Sequence, residues 1–422
     1  MVALVDCNSF FCSVEKVFHP GLNGKPVCVL SCNDGCIVAL TPEAKALGLR
    51  RGDPLFKKKD IVDHHNVVVF STNMHLYAAM SHRVTNILRS CVQHVENYSI
   101  DESFCYLDGY EEHFNIEEYM RSVVEKVRLF TDIPVSVGIA PSKTLAKMGS
   151  KFAKNYKGYR SVCLIDSDRK RRKALELFDL ADIWGIGRQT LAKLRFLGVN
   201  TPLEFAEKRE SWVKSNFTLP TLQTWLELNG IPCIDTSEKP QRQTICTSRS
   251  FGEMVGDITS LKTSVAEFAA SCANKLRGQH SVAAEVTVFV SSNRFREDLP
   301  QYGNVAAINL GTPSADTMEI VNAAHQALSE IFREGIQYKK AGVILSRITD
   351  ASAIQQSLFD PIPNRPQRHH LMAQIDSLNH RFGLKTIRLA AEAGEAQSWR
   401  PKSQHRSGNY LSDLAQILTI RI

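Results

Sequence analysis

Short runs of β-branched and apolar residues alternate with amphipathic stretches through the first half of the chain. This alternation is typical of a β-sheet covered by helices, because strands repeat every two residues and helices every 3.6 residues. The first apolar run is 2–6 (VALVD), and the turn-forming segment 33–35 (NDG) separates two later runs. The pattern predicts strands at 2–6, 27–31, 36–40, 67–71, 95–100, 103–107 and 135–140, and helices at 9–18, 73–91, 115–129 and 142–153.

When the insert 31–72 is set aside, these elements follow the order strand, helix, hairpin, helix, strand, which is ferredoxin-like. From 167 to 230 the strand signals give way to Lys- and Leu-rich helical periodicity, which predicts a small all-helical domain. The polar stretch 235–243, which contains Pro240, has too few apolar side chains to order itself. We therefore expect a linker there.

Strand and helix patterns resume after the linker and predict a second ferredoxin-like succession over 244–350. From residue 351 onward the chain turns polar and contains several prolines, so we expect a tail with only intermittent order. The pattern as a whole predicts an α+β multidomain fold. The elements expected in the second domain are strands at 244–252, 282–291, 304–310 and 338–346, and helices at 259–280 and 315–334.

The composition indicates how large the protein is and in which compartment it lies. A chain of 422 residues with 43% hydrophobic and 23% charged side chains is too long for one compact domain. Its formal charge of +7 is compatible with a polyanionic partner, although a solvated basic face explains the charge as well. No apolar run approaches the ~20 residues of a membrane helix, and the N-terminus has no secretory pattern. The 11 cysteines lack a framework spacing, which favours reduced thiols and a cytoplasmic protein without membrane insertion.

Three acidic residues carry the candidate chemistry. Asp6 ends the first predicted strand, and Asp101 and Glu102 occupy the turn of the predicted hairpin 95–107. If these strands are neighbours, three carboxylates meet at one sheet edge, and that concentration of negative charge needs a cation. Carboxylate oxygens suit Mg²⁺, and two such ions about 4 Å apart can activate a hydroxyl and stabilise a leaving pyrophosphate. Taken singly, each motif is also explained by ordinary solvated turn residues.

Two motifs, DCNSFF starting at Asp6 and YSIDE ending at Glu102, together resemble the catalytic motifs of Y-family DNA polymerases of the UmuC type. The resemblance covers nearly the whole chain. It implies metal ligands at Asp6, Asp101 and Glu102, with the backbone carbonyl of Cys7 as a further ligand. The domains that it implies are a ferredoxin-like palm at 1–30 and 73–166, a small fingers insert at 31–72, a helical thumb at 167–234, a linker at 235–243, an α/β little finger at 244–350 and a flexible C-terminal tail at 351–422.

The same resemblance implies how an incoming nucleotide is held. Phe11 matches the aromatic steric gate, where a ring under the sugar leaves no room for a ribose 2′-hydroxyl. UmuC proteins usually have Tyr at this position. The triphosphate would be bound by Lys45, in the motif TPEAK, and by Lys154, with Lys147 as a nearby candidate. Pro42 stands where some members have a phosphate-binding tyrosine, so that contact is lost.

A third motif lies in the predicted helical domain. The segment 183–187 (IWGIG), followed by a helical pattern, resembles a helix-hairpin-helix. Gly185 and Gly187 allow a tight turn whose free backbone N–H groups can hold a DNA phosphate without reading sequence, and Lys193 lies close enough to assist. A simple tight connection between helices is the alternative.

A fourth motif opens the predicted tail. Residues 355–359 (QQSLF) resemble the peptide with which bacterial polymerases dock on the sliding clamp. Leu358 and Phe359 would anchor in an apolar pocket, while Gln355 would form hydrogen bonds. A locally packed loop is the alternative. The family resemblance further implies contacts with a UmuD′ dimer and RecA.

We therefore expect an error-prone translesion DNA polymerase of SOS mutagenesis. It would add dNTPs to a primer opposite damaged template DNA with two Mg²⁺ ions. One alternative is a catalytically inactive scaffold of the same fold that recruits repair partners, against which the three acids and Phe11 argue. The other is a nucleotidyl cyclase, which also sets paired acids on a ferredoxin-like sheet but has no use for a helix-hairpin-helix.

Overall fold

The computed structural model describes residues 1–237, 240–354, 360, 362–383, 385–393, 399–411 and 413–417. The chain divides into two compact units, Met1–Lys239 with Ser403–Ile422, and Pro240–Lys402. The C-terminal residues thus return to the first unit. Within the described ranges, no helix is long and apolar enough to cross a membrane, and every one of the 11 cysteines has a free thiol.

The strands of the first unit form two sheets. The strands are β1 (Val2–Cys7), β2 (Val27–Leu30), β3 (Ile37–Leu40), β4 (Val68–Ser71), β5 (His94–Asn97), β6 (Glu102–Tyr106), β7 (Val135–Ala140) and β8 (Val162–Leu164). A five-stranded sheet has the order β5-β6-β1-β7-β8, in which β1 pairs antiparallel with both β6 and β7. A three-stranded sheet has the order β3-β2-β4, with β2 parallel to β4.

Helices cover the five-stranded sheet on both faces because its central strand is apolar on both. The helices of this unit are α1 (Phe10–Phe18), α2 (Pro42–Ala46), α3 (Lys59–His64), α4 (Met74–Arg89), α5 (Ile116–Thr131), α6 (Lys143–Asn155), α7 (Asp168–Leu177), α8 (Arg188–Phe196), α9 (Pro202–Ala206), α10 (Glu210–Asn216) and α11 (Leu219–Leu228). In β1, Ala3 and Val5 pack into one core with α1, α4 and α5, whereas Val2 and Leu4 pack into another core with α6 and the helices that follow it.

Two glycines set the distance between α6 and the sheet. An added Cβ on Gly138 of β7 would lie 2.0 Å from the Ala146 carbonyl oxygen, and one on Gly149 of α6 would lie 3.0 Å from the Gly138 Cα. The backbones of α6 and β7 therefore approach more closely than any larger residue would allow. This contact fixes where the lysines of α6 lie relative to the end of β1.

The second unit is a four-stranded antiparallel sheet with two long helices on one face. The elements are β9 (Ile245–Val255), α12 (Ile258–Gly278), β10 (Ser281–Ser292), β11 (Gly303–Ser314), α13 (Thr317–Ile331), β12 (Tyr338–Asp350) and α14 (Arg365–Phe382). The strand order is β11-β10-β12-β9, so the first strand of the unit lies at the sheet edge. Along β10, Val286, Val288 and Val290 point into the helix-covered core and alternate with partly exposed residues.

Within the region after residue 350, where only intermittent order was expected, residues 365–382 form α14, a helix that was not predicted. This helix is mostly polar and is held by ion pairs, with Arg277 bonded to both carboxylate oxygens of Asp376 at 2.6 and 2.8 Å. Arg368 pairs with Asp316 at 2.9 Å. A search for apolar periodicity misses such a helix because charge, and not an apolar stripe, attaches it. The residues expected to bind a sliding clamp, Gln355, Leu358 and Phe359, lie outside the described residues.

The close contact of α6 with β7 predicts a large asymmetry between two glycine substitutions. Gly138→Ala should lower the free energy of unfolding by about 3 kcal/mol, because the new methyl group meets backbone atoms that cannot move aside. Gly158→Ala, where an added Cβ meets nothing within 4 Å, should change it by less than about 0.5 kcal/mol. Urea unfolding of both variants measures the difference, and equal midpoints would contradict the packing described.

Candidate active site

The register of β1 and β6 brings the three acids to one end of the five-stranded sheet. Asp6 lies directly opposite Glu102 in the antiparallel pair. The Cys7 N–H donates to the Asp101 carbonyl oxygen at 2.9 Å, which fixes the turn before β6 against the end of β1. The convergence expected from the sequence is therefore present, and it results from strand pairing between residues almost a hundred positions apart.

Each of the three carboxylates has a partner. The Lys154 Nζ lies 2.7 Å from Asp6 Oδ1, and the Lys147 Nζ lies 2.8 Å from Glu102 Oε1. The Ser99 hydroxyl donates to Asp101 Oδ1 at 2.6 Å. Both lysines lie on α6, so the helix supplies two positive charges that offset the negative charge of the acids.

Aromatic rings hold Lys147 in place. Its ammonium group lies 4.6 Å from the ring centre of Tyr98 and 5.4 Å from that of Trp184. The Trp184 indole N–H donates to the Tyr98 hydroxyl at 3.2 Å. Tyr98 and Trp184 were not predicted as site residues. The only signal was that Tyr98 opens the YSIDE motif and Trp184 stands beside Gly185.

The acids offer hard oxygen donors of the kind that a divalent cation prefers. Within the described residues, no group of three or more His, Cys, Asp or Glu side chains is arranged to hold a metal ion, and two of the acids bond to lysines instead. A cation that binds there would compete with these lysines for the carboxylate oxygens. The Cys7 side chain is buried in the core with Ala3 and Val5, so a ligand from Cys7 would be its backbone carbonyl.

Phe10 and Phe11, the aromatic pair at the start of α1, differ in burial. Phe10 is buried in the core, whereas Phe11 is only partly buried. The Phe11 ring stacks on Tyr77 of α4, with ring centres 4.5 Å apart and planes 15° apart. The Tyr77 hydroxyl donates to Glu15 Oε1 at 2.6 Å. Tyr77 and Glu15 were not predicted as site residues, because nothing in the sequence pattern distinguishes them from other helical positions.

The remaining nucleotide-site candidates lie on separate elements. Lys154 meets Asp6, but Lys45 is exposed on α2 and forms no ion pair with the acids in the described part of the chain. Pro42 is the first residue of α2, and Thr41 caps that helix by accepting from the Ala44 N–H. The structure thus joins one of the two predicted phosphate-binding lysines to the acids.

The predicted DNA-binding turn precedes α8. Gly185 has a φ of +92°, and an added Cβ there would lie 2.2 Å from the Thr224 hydroxyl oxygen. Gly187 is the N-cap of α8 and provides no side-chain hydrogen bond. Lys193 donates to the Asn216 carbonyl and lies 5.0 Å from the ring centre of Phe217. Glycine is required at 185 both by the left-handed backbone and by the contact with α11.

A buried ion pair was also missed. Lys143 at the start of α6 lies 3.0 Å from Glu96 of β5, and their side chains are only 6% and 8% exposed. Burial alone would raise the pKa of Glu96, but hydrogen bonds from Thr236, Tyr106 and Lys143 outweigh it and hold that pKa below its ordinary value. In the sequence, Glu96 is indistinguishable from an outward-facing strand residue.

Solved structures identify the class of fold. A Y-family DNA polymerase chimera, Dbh-Dpo4(243-245)-Dbh, superimposes with a TM-score of 0.63 at 22% identity and covers 83% of this chain and 99% of its own. An insertion ternary complex of Dbh DNA polymerase gives a TM-score of 0.51 at 22% identity over 83% of this chain and 99% of its own. The fold is therefore that of the Y-family DNA polymerases.

Sequence comparison identifies the particular family. Residues 5–151 match the impB/mucB/samB family, 242–358 match its C-terminal domain, and 369–420 match a domain of unknown function (DUF4113). Protein UmuC of Salmonella typhimurium is 40% identical and Protein ImpB of the same organism 38% identical, each over the full length of both chains. DNA polymerase IV 2 of Halalkalibacterium halodurans is 26% identical over 97% of this chain and 99% of its own. The chain belongs to the impB/mucB/samB family, within the UmuC type of Y-family DNA polymerases.

The ion pairs at the acids predict a variant that is sensitive to metal. Lys147→Met leaves Glu102 unpaired beside two other carboxylates and should lower the free energy of unfolding by about 2 kcal/mol. Millimolar Mg²⁺ should restore much of this loss and stabilise the variant more than the parent chain, measured as the shift in melting temperature. Lys214→Met, which breaks an exposed pair with Glu210, should show no such Mg²⁺ response. Equal responses in both variants would argue against cation binding at the acids.

Proposed function

We propose that the chain is a translesion DNA polymerase that adds deoxynucleotides to a primer at the end of β1 and β6. Membership of the impB/mucB/samB family supports the reaction class. The observation that carries the assignment of the site is the pairing of Asp6 with Glu102, next to Asp101, at one sheet end. A scaffold without activity and a nucleotidyl cyclase are not favoured, because relatives along the full chain are named as DNA polymerases.

In this proposal Asp6, Asp101, Glu102 and the Cys7 carbonyl hold two Mg²⁺ ions. Bound there, the ions supply activation of the primer 3′-hydroxyl and stabilisation of the leaving pyrophosphate. Lys154 and Lys147 keep the acids neutralised before the ions and nucleotide arrive. An ammonium group released from a carboxylate is then free to bind the triphosphate, which is the role we propose for Lys154.

Phe11 is proposed as the steric gate for the sugar. Its ring is partly exposed at the start of α1, five residues after Asp6, and rests on the buried ring of Tyr77. Because the Phe11 ring packs on Tyr77, it cannot easily move aside to make room for a 2′-hydroxyl. Selection of deoxynucleotides would therefore come from a clash and not from an attractive contact. Lys45, exposed on α2, is proposed to contact the triphosphate from the fingers insert.

The turn at 185–187 is proposed to bind the DNA backbone. The first N–H groups of α8 have no side-chain cap, and such groups bind phosphate oxygens without reading sequence. Lys193, on the same helix, adds a positive charge. In the nomenclature of the family, this segment belongs to the thumb at 167–234, the acids to the palm at 1–30 and 73–166, α2 to the fingers at 31–72, and the second unit to the little finger at 244–350.

The proposed partners are primed and damaged DNA, dNTPs, the sliding clamp, a UmuD′ dimer and RecA, in the cytoplasm. The full-length similarity to Protein UmuC supports the last two partners. Docking on the clamp through 355–359 is a proposal from the QQSLF motif alone.

Removing two of the acids tests the assignment of the site. Primer extension with Mg²⁺ should fall at least about 100-fold in the Asp101→Asn, Glu102→Gln double variant, because cation binding and charge stabilisation are lost together. Asp108→Asn is the control, since Asp108 pairs with the N-terminal amine at the opposite end of the hairpin. If the parent chain is silent alone, clamp, UmuD′ and RecA are added to every reaction. Equal extension by the double variant and the control would remove the acids from the mechanism.

Substitutions that change the size of residue 11 test its proposed role as the steric gate. Phe11→Ala should lower the preference for dNTPs over rNTPs by about 100-fold, because the clash with the 2′-hydroxyl disappears. Phe11→Tyr keeps the ring and should retain the preference. The measurement is the ratio of kcat/KM for the two sugars on the same primed template, and an unchanged ratio in Phe11→Ala would exclude Phe11 as the gate.

A further inference from the structure

A short C-terminal segment, residues 403–410, lies against the end of β4, the start of α4 and one side of α1, and we name it the strap. The Ser71 N–H at the end of β4 donates to the His405 carbonyl at 3.0 Å, and the His405 N–H donates to the Ser71 hydroxyl oxygen at 2.8 Å. Tyr410 packs on Phe18 of α1, with ring centres 5.1 Å apart. The strap lies within the region that matches a domain of unknown function.

Asn73, the N-cap residue of α4, connects this helix to the strap. This fully buried residue caps the helix by accepting from the Leu76 N–H. Its amide nitrogen lies 3.0 Å from the Ser407 carbonyl oxygen and 3.2 Å from the Gly408 carbonyl oxygen. The same nitrogen lies 3.2 Å from the Ser407 hydroxyl oxygen. Because a buried amide without partners is costly, Asn73 holds the strap through two backbone carbonyls as well as through the Ser407 side chain.

Ser407 continues from this contact toward the nucleotide site. Its hydroxyl donates to Glu15 Oε1 at 2.9 Å, and the Tyr77 hydroxyl donates to the same oxygen at 2.6 Å. Glu15 is fully buried, and its other oxygen has no hydrogen-bond partner in the described part of the chain. Burial raises the pKa of Glu15, and the hydrogen bonds from Tyr77 and Ser407 oppose that rise.

The chain of contacts ends at the proposed gate. The Tyr77 ring is fixed at its hydroxyl by Glu15 and carries the Phe11 ring on its face. One oxygen of the buried Glu15 carboxylate has no hydrogen-bond partner in the described part of the chain. The position of this carboxylate therefore depends strongly on the two hydroxyls that donate to its other oxygen. Loss of the Ser407 hydroxyl would therefore change the position or protonation of Glu15 and with it the tilt of Tyr77.

We propose that Ser407 is a positioning residue for sugar selection, which acts through Glu15 and Tyr77 on the Phe11 ring. The strap thereby connects part of the region of unknown function to the proposed gate through Glu15 and Tyr77. This proposal rests on the assignment of Phe11 as the steric gate, and it assigns to the strap a role in specificity and not in the chemical step.

Nucleotide selection by single-hydroxyl variants tests the proposal. Ser407→Ala and Tyr77→Phe should each lower the ratio of kcat/KM for dNTPs over rNTPs by about two- to tenfold, the range expected for one lost hydrogen bond. The double variant should lower the ratio by less than the product of the two single effects, because both hydroxyls act on one oxygen of Glu15. Ser407→Thr, which keeps a hydroxyl, should restore the ratio.

Ser403→Ala is the matched control, since the Ser403 hydroxyl donates to the Cys32 carbonyl at 2.9 Å and not to Glu15. General damage to the fold lowers the use of both sugars together and leaves their ratio unchanged. If Phe11→Ala shifts the ratio but Ser407→Ala behaves like Ser403→Ala, the positioning role is refuted and the gate stands. If Phe11→Ala itself leaves the ratio unchanged, the gate assignment fails first, and the role of Ser407 fails with it.

Discussion

The pairing of β1 with β6 is the constraint on which the rest of the site depends. One register places Asp6 opposite Glu102 and ties Asp101 to the Cys7 N–H. A shift of this register by one residue would turn the side chains of β1 to the other face of the sheet. The two apolar faces of β1, each buried in its own core, make such a shift costly. Core packing therefore holds the acids together although their like charges repel.

The compensating charge comes from α6, whose position depends on the glycine contact with β7. Because Gly138 and Gly149 let the two backbones approach, Lys147 and Lys154 reach the carboxylates from the same helix. Tyr98 and Trp184 surround Lys147 and connect the acids to the turn that we propose binds DNA. One helix thus links charge neutralisation, the aromatic contacts and the segment that is proposed to bind DNA.

The C-terminal region contributes to the two units in different ways. Within the second unit, α14 is attached by ion pairs such as Arg277 with Asp376. Within the first unit, the strap is attached by backbone and amide hydrogen bonds to Ser71 and Asn73. Apolar anchors in this region are single residues, such as Trp399 in the core of the second unit and Tyr410 on Phe18. Because they do not form a continuous apolar stripe, the region carries little of the periodic hydrophobic pattern that marks the rest of the chain.

The sequence alone was sufficient for the α+β class, for most strands and helices, and for the convergence of Asp6 with the turn at Asp101, because period-two and 3.6-residue patterns are local and the paired motifs are specific. It was not sufficient for the ion pairs that attach α14, for the buried pair of Lys143 with Glu96, or for the contact of Ser407 with Glu15. Each of these interactions joins polar residues that are far apart in the chain. Each of them depends on burial and on hydrogen-bond geometry, which local periodicity does not encode and only the folded chain decides.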